Sequence, residues 1–198
     1  METSNTPERT SRETDGASPI QTTSSRVVWS CDWFKVRQDE VLLRDGTAGE
    51  FNVVQHDGAV WIVPITSEGE IVLLKHYRYS VDEWCWEIPA GGLKPHASME
   101  ETAVAELEEE IGGFAGSLQY IGQFYTSNGI SNEVANIFLA SDVSLGQPRH
   151  EPAEIMEVHV LPMETVLAMA HNNEISDGPS ALALLICEQR IRNVCQKS

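Results

Sequence analysis

The 198 residues are enough for one well-packed domain, and an apolar fraction of 41% with five tryptophans is typical of a globular core. The formal net charge of −17 at pH 7 disfavours nucleic acids and anionic membranes as partners, because both bind clustered Lys and Arg. The four cysteines form no C-x-x-C pair, which predicts free thiols in a reducing compartment and thus a cytoplasmic protein.

The chain begins with a segment of low hydrophobicity. Residues 1–25 are rich in Ser, Thr, Pro and charged side chains. Such a composition buries too little apolar surface to offset the entropy that is lost on ordering. The sequence therefore predicts a disordered tail at residues 1–25.

The next part of the chain, to about residue 161, shows mostly strand patterns. Runs of β-branched and aromatic residues alternate with turn signals such as RDGT, HDG and SEGE. The predicted strands are, in chain order, VVWSC, WFKVRQDEVLL, EFNVVQH, AVWIVPI, EIVLLKHYRY, SLQYIGQFYT, EVANIFLAS and IMEVHVLP.

An acidic helix interrupts the strand series. Ser98 and Glu101 form a capping-box pattern at its start, and Gly112 and Gly113 end it. From Ser98 to Gly113 the sequence holds six carboxylates and no Lys or Arg, so the negative charge is unpaired within the helix.

Two further helices are predicted near the end of the chain. One runs from about residue 163 to residue 172, and the other begins near residues 176–177 and runs to about residue 193. Pro179 lies in the first turn of the last helix, where its missing N–H is tolerated. The expected architecture is a single α/β (α+β) domain, with a mixed β-sheet sandwiched between helices.

The acidic helix has two distinct faces at 100° per residue. Glu106, Glu109 and Glu110 are related by three and four positions, so their side chains share one face. A neighbouring apolar face, which we expect to pack on the sheet, is formed by Val104, Leu107 and Ile111.

The clustered carboxylates allow two interpretations. Most charge runs are solvated surfaces. Like charges at this spacing cost roughly 0.2–0.5 kcal/mol per pair, however, and a cation among three carboxylates would remove that cost. Hard oxygen ligands favour Mg²⁺ or Mn²⁺. The preceding segment EWCWEIPAGG has a Pro-Ala-Gly turn that can bring main-chain carbonyls to the same ion. The sequence therefore favours a metal site.

These residues resemble the Nudix hydrolases, whose box is G-x5-E-x7-R-E-U-x-E-E-x-G-U with U a bulky aliphatic residue. Aligned on the three glutamates, the box starts at Gly91. HYRYSVDEWCWEIPAGG, FYTSNGISNE and EIMEVHVLPMETV are similar to the ADP-ribose pyrophosphatase branch, over roughly residues 26–190. The resemblance implies the Nudix fold at residues 57–195, preceded by an N-terminal β segment at residues 26–56.

Three box positions differ from the family pattern. Ala97 replaces the first glutamate, Ala105 replaces the arginine and Gly113 replaces the last aliphatic residue. In the family the glutamate and the arginine can pair to orient the helix, and the loss of both leaves no orphaned charge. The metal-facing glutamates remain. An active or weakened enzyme is therefore expected, and the alternative is a Nudix fold that binds nucleotides without turnover.

The resemblance implies a function as well. The expected reaction is Mg²⁺-dependent (Mn²⁺ as the alternative) hydrolysis of a nucleoside diphosphate sugar, with ADP-ribose giving AMP and ribose 5-phosphate; another sugar nucleotide such as GDP-mannose stays an alternative. The metal ligands would be Glu106, Glu109, Glu110 and the carbonyl of Ala90, and Glu106 is also expected to be catalytic.

Residues 26–56 resemble the segment with which this branch forms an intertwined homodimer. The resemblance therefore implies a homodimer.

The remaining site residues also follow from the resemblance. The general base is expected in the loop HEPAEIMEV, with Glu154 the first choice and Glu151 the second, unless both only solvate the loop. Substrate contacts are expected from Arg78, Glu87, Gly91 and Glu133. Two of these residues have a purely structural alternative. Arg78 could form a surface salt bridge with Asp82 or Glu83, and Glu87 could support its loop.

Overall fold

The computed structural model of the protein describes residues 18–195. Within that range the chain forms twelve strands and three helices. The helices are α1 Met99–Ile111, α2 Met163–His171 and α3 Gly178–Cys195. The strands are β1 Ile20–Ser30, β2 Lys35–Leu43, β3 Ala48–Gln55, β4 Ala59–Pro64, β5 Glu70–Arg78, β6 Glu83–Glu87, β7 Ala90–Gly92, β8 Gly113–Phe114, β9 Ser117–Tyr125, β10 Val134–Ser141, β11 Ser144–Leu145 and β12 Met156–Pro162.

The first three strands form a separate antiparallel sheet in the order β1-β2-β3. β1 begins at Ile20, so residues 20–25, which the composition assigns to a disordered tail, pair with β2 in this sheet. Their Ser and Thr side chains add hydrogen bonds across the pair, such as that from Thr23 to the carbonyl of Glu40. Backbone pairing needs no apolar side chains, which is why hydropathy misses this strand. The other residues of that predicted tail, 1–17, lie outside the described residues.

The centre of the fold holds two sheets. One has the order β7-β4-β10-β9 and is mixed, because β4 and β10 run parallel while the other pairs are antiparallel. The second has the order β12-β5-β6 and is antiparallel. A bridge between Ile65 and Ile71 joins the two sheets where β4 leads into β5. The mixed sheet that the sequence predicts is confirmed.

Side chains of β4 and β5 alternate between two apolar clusters. Val60, Ile62, Val72 and Leu74 pack with α1. Residues of opposite parity, such as Val63 and Leu73, pack with α2 and α3. This two-residue alternation is the normal geometry of a strand that is buried on both faces. The sheets are therefore sandwiched between helices, as expected from the sequence.

Helix α1 begins and ends where the sequence predicts. The Ser98 side chain accepts a hydrogen bond from the Glu101 N–H, and the Glu101 carboxylate accepts one from the Ser98 N–H. Gly112 closes the helix with φ of +61°, a left-handed conformation that favours glycine. A side chain at Gly112 would also meet the backbone of Gly146 at 2.5 Å. These caps fix which faces of α1 meet the sheet.

One detail of the predicted apolar face is wrong. Leu107 and Ile111 are buried as expected, but Val104 is 52% exposed and Ala103 is fully buried in its place. Ala103, Leu107 and Ile111 are spaced by four residues and follow one ridge of the helix. Val104 lies at the edge of that ridge, where the sheet does not cover it.

The last two helices also agree with the sequence. α2 spans Met163–His171, and α3 begins at Gly178 with Pro179 in its first turn. The Asp177 carboxylate accepts a hydrogen bond of 2.9 Å from the Ser180 N–H and so caps α3. Within residues 18–195, the helices are too short or too polar to span a bilayer.

Candidate active site

The acidic face of α1 lies beside the short strand β7. Glu106 and Glu110 are buried, with 9% and 6% exposure, whereas Glu109 is half-exposed. Carboxylates are rarely buried without a partner, because the loss of hydration disfavours their charged form. The partners of these three side chains therefore indicate what the site is built for.

Gly91 makes room for the carboxylate of Glu106. A Cβ at Gly91 would lie 2.2 Å from the Glu106 carboxyl carbon and 2.5 Å from each of its oxygens. No other residue type fits this approach without moving the glutamate. At the neighbouring Gly92, an added Cβ would meet no atom within 4 Å. Packing against Glu106 thus requires glycine at the first position of the box, whether or not Gly91 contacts the substrate.

Glu110 is held by the main chain of β7. Its Oε2 accepts a hydrogen bond of 2.9 Å from the Ala90 N–H. Burial raises the pKa of Glu110 well above its usual value, and the neighbouring Glu106 and Glu154 raise it further, although the bond from Ala90 acts against this. An added cation would favour the ionised carboxylate. Ala90, predicted as a ligand through its carbonyl, thus lies directly beside the carboxylate with which it would share a metal.

The charge of α1 is paired by residues that lie outside the helix. Lys94 Nζ lies 2.9 Å from Oε2 of Glu109 and 3.3 Å from Oε1 of Glu106. Arg149 lies 3.0 Å from Glu108. Burial lowers the pKa of Lys94, but the contacts with the two glutamates outweigh this and raise it overall. The expectation of unpaired charge therefore holds only within the helix itself.

Burial also dominates the electrostatics of Glu106. It raises the pKa of this carboxyl, and although Lys94 opposes the shift, Glu109 and Glu154 add to it. Burial and the neighbouring carboxylates thus raise the pKa of both Glu106 and Glu110 beside the Ala90–Gly91 backbone. This is the electrostatic environment that a multivalent cation relieves.

The donor set suits a hard divalent cation, since all of its ligands would be oxygens. Glu106 and Glu109 are nevertheless both engaged with Lys94, whereas Glu110 is engaged with the main chain of Ala90. Among residues 18–195, no three His, Cys, Asp or Glu side chains form a ready ligand shell. Ligand types, burial and the cradle at Gly91 fit a metal, but these side chains would have to rearrange around it.

The loop before β12 attaches to the C-terminal end of α1. The Arg149 N–H donates a 2.7 Å hydrogen bond to the Glu109 carbonyl. His150 Nε2 lies 2.7 Å from the Glu110 carbonyl oxygen, which accepts a hydrogen bond. These contacts satisfy carbonyl groups that a helix end leaves without partners. They also fix the loop that carries Glu151 and Glu154 to the helix that carries the acidic face.

The two candidate bases differ in their surroundings. The carboxylate of Glu154 accepts a 2.7 Å hydrogen bond from the Glu151 N–H, and its charge raises the pKa of both Glu106 and Glu110. Glu151 is exposed and does not contribute to those shifts. Of the two candidates, Glu154 is therefore the one whose charge acts on the acidic face.

The expected substrate residues line one open cavity of about 260 Å³. Arg78 comes from the end of β5, Glu87 from the end of β6, and Glu133 from the residue before β10. Ala90 and Gly91 line the same cavity, so it opens beside Glu106 and Glu110. The structure thus brings all four predicted substrate residues together next to the acidic face.

Arg78 pairs with Glu87, and not with Asp82 or Glu83. Its Nε and Nη2 donate hydrogen bonds of 2.8 and 2.6 Å to the two oxygens of Glu87. His76 Nδ1 lies 3.5 Å from the same carboxylate. Burial raises the pKa of Glu87, but these partners outweigh it and lower the pKa overall. Glu87 thus supports Arg78, which stays 46% exposed toward the cavity.

Glu133 is held at the mouth of the cavity. Its carboxylate accepts a 2.6 Å hydrogen bond from the Thr126 hydroxyl and lies 3.2 Å from His56 Nδ1. The segment before it is tied to β3, because the Ile130 carbonyl accepts a hydrogen bond from the Val54 N–H. The N-terminal sheet therefore reaches the wall of the site through residues 54–56.

Several residues of the site have no signal in the sequence. Lys94 and Asp177 carry charge into it, and His150 fixes the base loop, yet none belongs to a motif. Burial raises the pKa of Asp177, which lines the same cavity and acts on Arg78. Lys94 occupies an unspecified position of the Nudix box, three residues after Gly91. That position is the only sequence signal for a contact between one of these three residues and the glutamates.

Comparisons with known proteins identify the family of the chain. The sequence profile of the NUDIX domain family matches residues 55–181 of this chain. The ADP-ribose pyrophosphatase of Bacillus subtilis is 36% identical over 148 residues, which are 74% of this chain and 80% of the relative. The protein of the same name from Mycobacterium tuberculosis is 34% identical over 144 residues, 69% of this chain and 68% of the relative.

Other similar proteins have names other than ADP-ribose pyrophosphatase. The methanol dehydrogenase activator of Bacillus methanolicus is 28% identical over 166 residues, which are 83% of this chain and 90% of the relative. A solved structure of an ADP compounds hydrolase superposes with a TM-score of 0.78 at 18% identity, over 90% of this chain and 97% of that chain, and shows the shared fold. Together with the box on α1, these findings show that the chain belongs to the Nudix family of hydrolases.

Proposed function

We propose that the protein hydrolyses the diphosphate bond of a nucleoside diphosphate sugar with the help of Mg²⁺, and that its substrate is ADP-ribose, which yields AMP and ribose 5-phosphate. The observation that carries the proposal is the packing of Glu106 and Glu110 against the Ala90–Gly91 turn, beside a cavity that contains Arg78. Two relatives named ADP-ribose pyrophosphatase, at 36% and 34% identity, support the choice of substrate.

The metal proposal rests on the family and on the donor set. Nudix hydrolases generally use divalent metal ions. Here Glu106, Glu109 and Glu110 would hold them, with the Ala90 carbonyl as a further ligand. Such an ion screens the diphosphate, polarises a phosphoryl oxygen and lowers the pKa of a bound water. Mg²⁺ is the proposed ion, and Mn²⁺ suits the same oxygen ligands.

The substrate brings negative charge to a protein of net charge −17. Arg78 is the cationic side chain of the 260 Å³ cavity, and its pairing with Glu87 fixes the plane of the guanidinium. Its remaining N–H groups can donate hydrogen bonds to a phosphate or a ribose oxygen. Glu133, held by Thr126 and His56, would position the sugar at the mouth.

For the attacking water we propose Glu154 as the general base. Its charge acts on both buried glutamates of α1, so it lies close to the proposed metal ligands. The hydrogen bond from the Glu151 N–H orients its carboxylate. A base must come within hydrogen-bond distance of the water. The contacts of Arg149 and His150 with the end of α1 support this role, because they attach the loop of Glu154 to the helix that carries the proposed ligands.

We also propose a homodimer that forms through residues 26–56. The sheet β1-β2-β3 exposes large apolar side chains, among them Val27, Val28, Trp29 and Phe51, with exposures of 46–54%. A stable interface buries about 800 Å² on each partner and is richest in apolar and aromatic side chains at its centre. The exposed apolar surface of this three-stranded sheet is therefore suited to pack against a second copy of the same chain.

The first prediction concerns turnover. Wild-type protein with Mg²⁺ should release AMP from ADP-ribose, and Glu110→Gln should lower the rate by more than about 100-fold, because even outer-shell partners of metal ligands are worth about 10- to 100-fold. The measurement is chromatography of products across a panel that includes GDP-mannose. Faster release from another sugar nucleotide would change the substrate. Nucleotide binding without turnover on any member would make the chain a binding protein.

The second prediction uses the two adjacent glycines. Gly91→Ala should displace the Glu106 carboxylate and reduce turnover by about 100-fold, as expected when a catalytic group moves by about 1 Å. Gly92→Ala is the matched control, since its Cβ meets no atom within 4 Å, and it should keep most of the rate. Equal rates in the two variants would show that the position of Glu106 is unimportant.

The third prediction separates the two base candidates. Glu154→Gln should lower turnover by about 10²–10⁴-fold and leave Mn²⁺ binding nearly unchanged, because a general base contributes a factor of that size. Glu151→Gln keeps the main-chain N–H that orients Glu154, and should have a small effect. A larger loss in Glu151→Gln would assign the base to Glu151.

The fourth prediction concerns assembly. Light scattering should give about 44 kDa, twice the chain mass of 21.9 kDa. Val27→Glu should shift the protein toward the monomer, because it places a charge in the apolar surface of the N-terminal sheet. Ile186→Glu, at an exposed apolar position on α3, should leave the mass at the dimer value. A wild-type mass near 22 kDa would contradict the dimer.

A further inference from the structure

Lys94 occupies the place where a metal ion would meet the acidic face. Its Nζ lies 2.9 Å from Oε2 of Glu109 and 3.3 Å from Oε1 of Glu106. These are two of the three carboxylates that are proposed as metal ligands. A single ammonium group thus bridges side chains from two turns of α1 and supplies one positive charge between them.

The backbone around Lys94 is fixed in this position. The Leu93 N–H donates a 3.0 Å hydrogen bond to the Gly58 carbonyl, and the Ala97 N–H donates a 3.2 Å bond to the Lys94 carbonyl. Pro95 follows directly and restricts the main chain further. The loop therefore presents the lysine to α1 from a defined point, while the flexible four-carbon stem leaves the ammonium free to move.

The other ion pair of α1 differs in kind. Arg149 pairs with Glu108, which is not among the proposed ligands, at 3.0 Å. Each side chain brings one positive charge to the helix, but of the two only Lys94 contacts carboxylate oxygens that a metal would need. The Lys94 side chain is also 41% exposed, so the ammonium can leave the carboxylates and be hydrated by the nearby solvent.

We propose that Lys94 is an internal counter-cation of the metal site, which holds Glu106 and Glu109 in the absence of metal and must be displaced when a divalent cation binds. The inference rests on the proposed metal site. It explains why an ammonium group bridges Glu106 and Glu109 and why no ready ligand shell forms among the described residues. In this arrangement the metal-free protein is protected against repulsion between its glutamates, and metal binding is weakened by the same contact.

Competition of this kind has two measurable consequences. Removal of the ammonium should tighten binding of the divalent ion, because the ion no longer competes with an ion pair. It should also destabilise the metal-free protein, since the carboxylates then face one another without a counter-charge. A lysine that served only to orient the glutamates for the metal would instead give weaker metal binding when it is removed.

The experiment is a titration of the full chain with Mn²⁺ alone, followed by the electron paramagnetic resonance signal of free Mn²⁺. Lys94→Met should bind Mn²⁺ about three- to tenfold more tightly than wild type, as expected for a partly exposed ion pair. Lys94→Gln should show the same direction. Arg149→Met removes the same charge from the same helix and should stay within about twofold of wild type.

Thermal unfolding gives the second readout. In EDTA, Lys94→Met should melt below wild type, and saturating Mn²⁺ should remove the difference. Equal or weaker Mn²⁺ binding in both Lys94 variants, with wild-type binding intact, would overturn the role of Lys94 and leave the metal site in place. The same gain in Arg149→Met would show a general charge effect and overturn it as well. Absence of binding in every variant, wild type included, would overturn both the metal site and the inference.

Discussion

The close approach of the Glu106 carboxylate to Gly91 is the contact on which the site depends. A Cβ there would lie 2.2 Å from the carboxyl carbon, so the backbone of β7 and the side chain of α1 define each other's position. The contact requires α1 to keep one rotation over the sheet. The Ser98 capping box, the left-handed Gly112 and the buried ridge through Leu107 supply that rotation. Fold and site are therefore set by the same residues.

Negative charge is the second constraint. Burial and mutual proximity raise the pKa of Glu106 and Glu110, which would destabilise the helix if no cation were near. The chain lacks the arginine of the family box, with Ala105 in its place, and provides Lys94 and Arg149 from the loops on either side of α1. The positive charge that pairs with α1 thus comes from its surroundings and not from the helix itself. This arrangement retains the acidic face, which is the proposed metal site.

The sequence predicts local features of this protein well. Alternating runs, the capping box and the spacing of the three glutamates depend on neighbours within a few residues, and the longer strands, α1 and its acidic face follow from them. The two-residue strands β8 and β11 were not predicted. Contacts between distant segments were not predictable. Lys94 and Asp177 reach the site through loop geometry and have no motif. The exposure of Val104 depends on where the sheet ends. Residues 20–25 form a strand because a partner strand is available, which composition does not encode.

The central claim is that the acidic face of α1 binds the ion that acts on the diphosphate. The most direct measurement is anomalous diffraction from crystals of the protein soaked in Mn²⁺. We expect an anomalous peak between the carboxylates of Glu106 and Glu110 and the Ala90 backbone, with Lys94 Nζ withdrawn from Glu106. A peak at another place on the molecule, or none at a concentration that supports turnover, would contradict it.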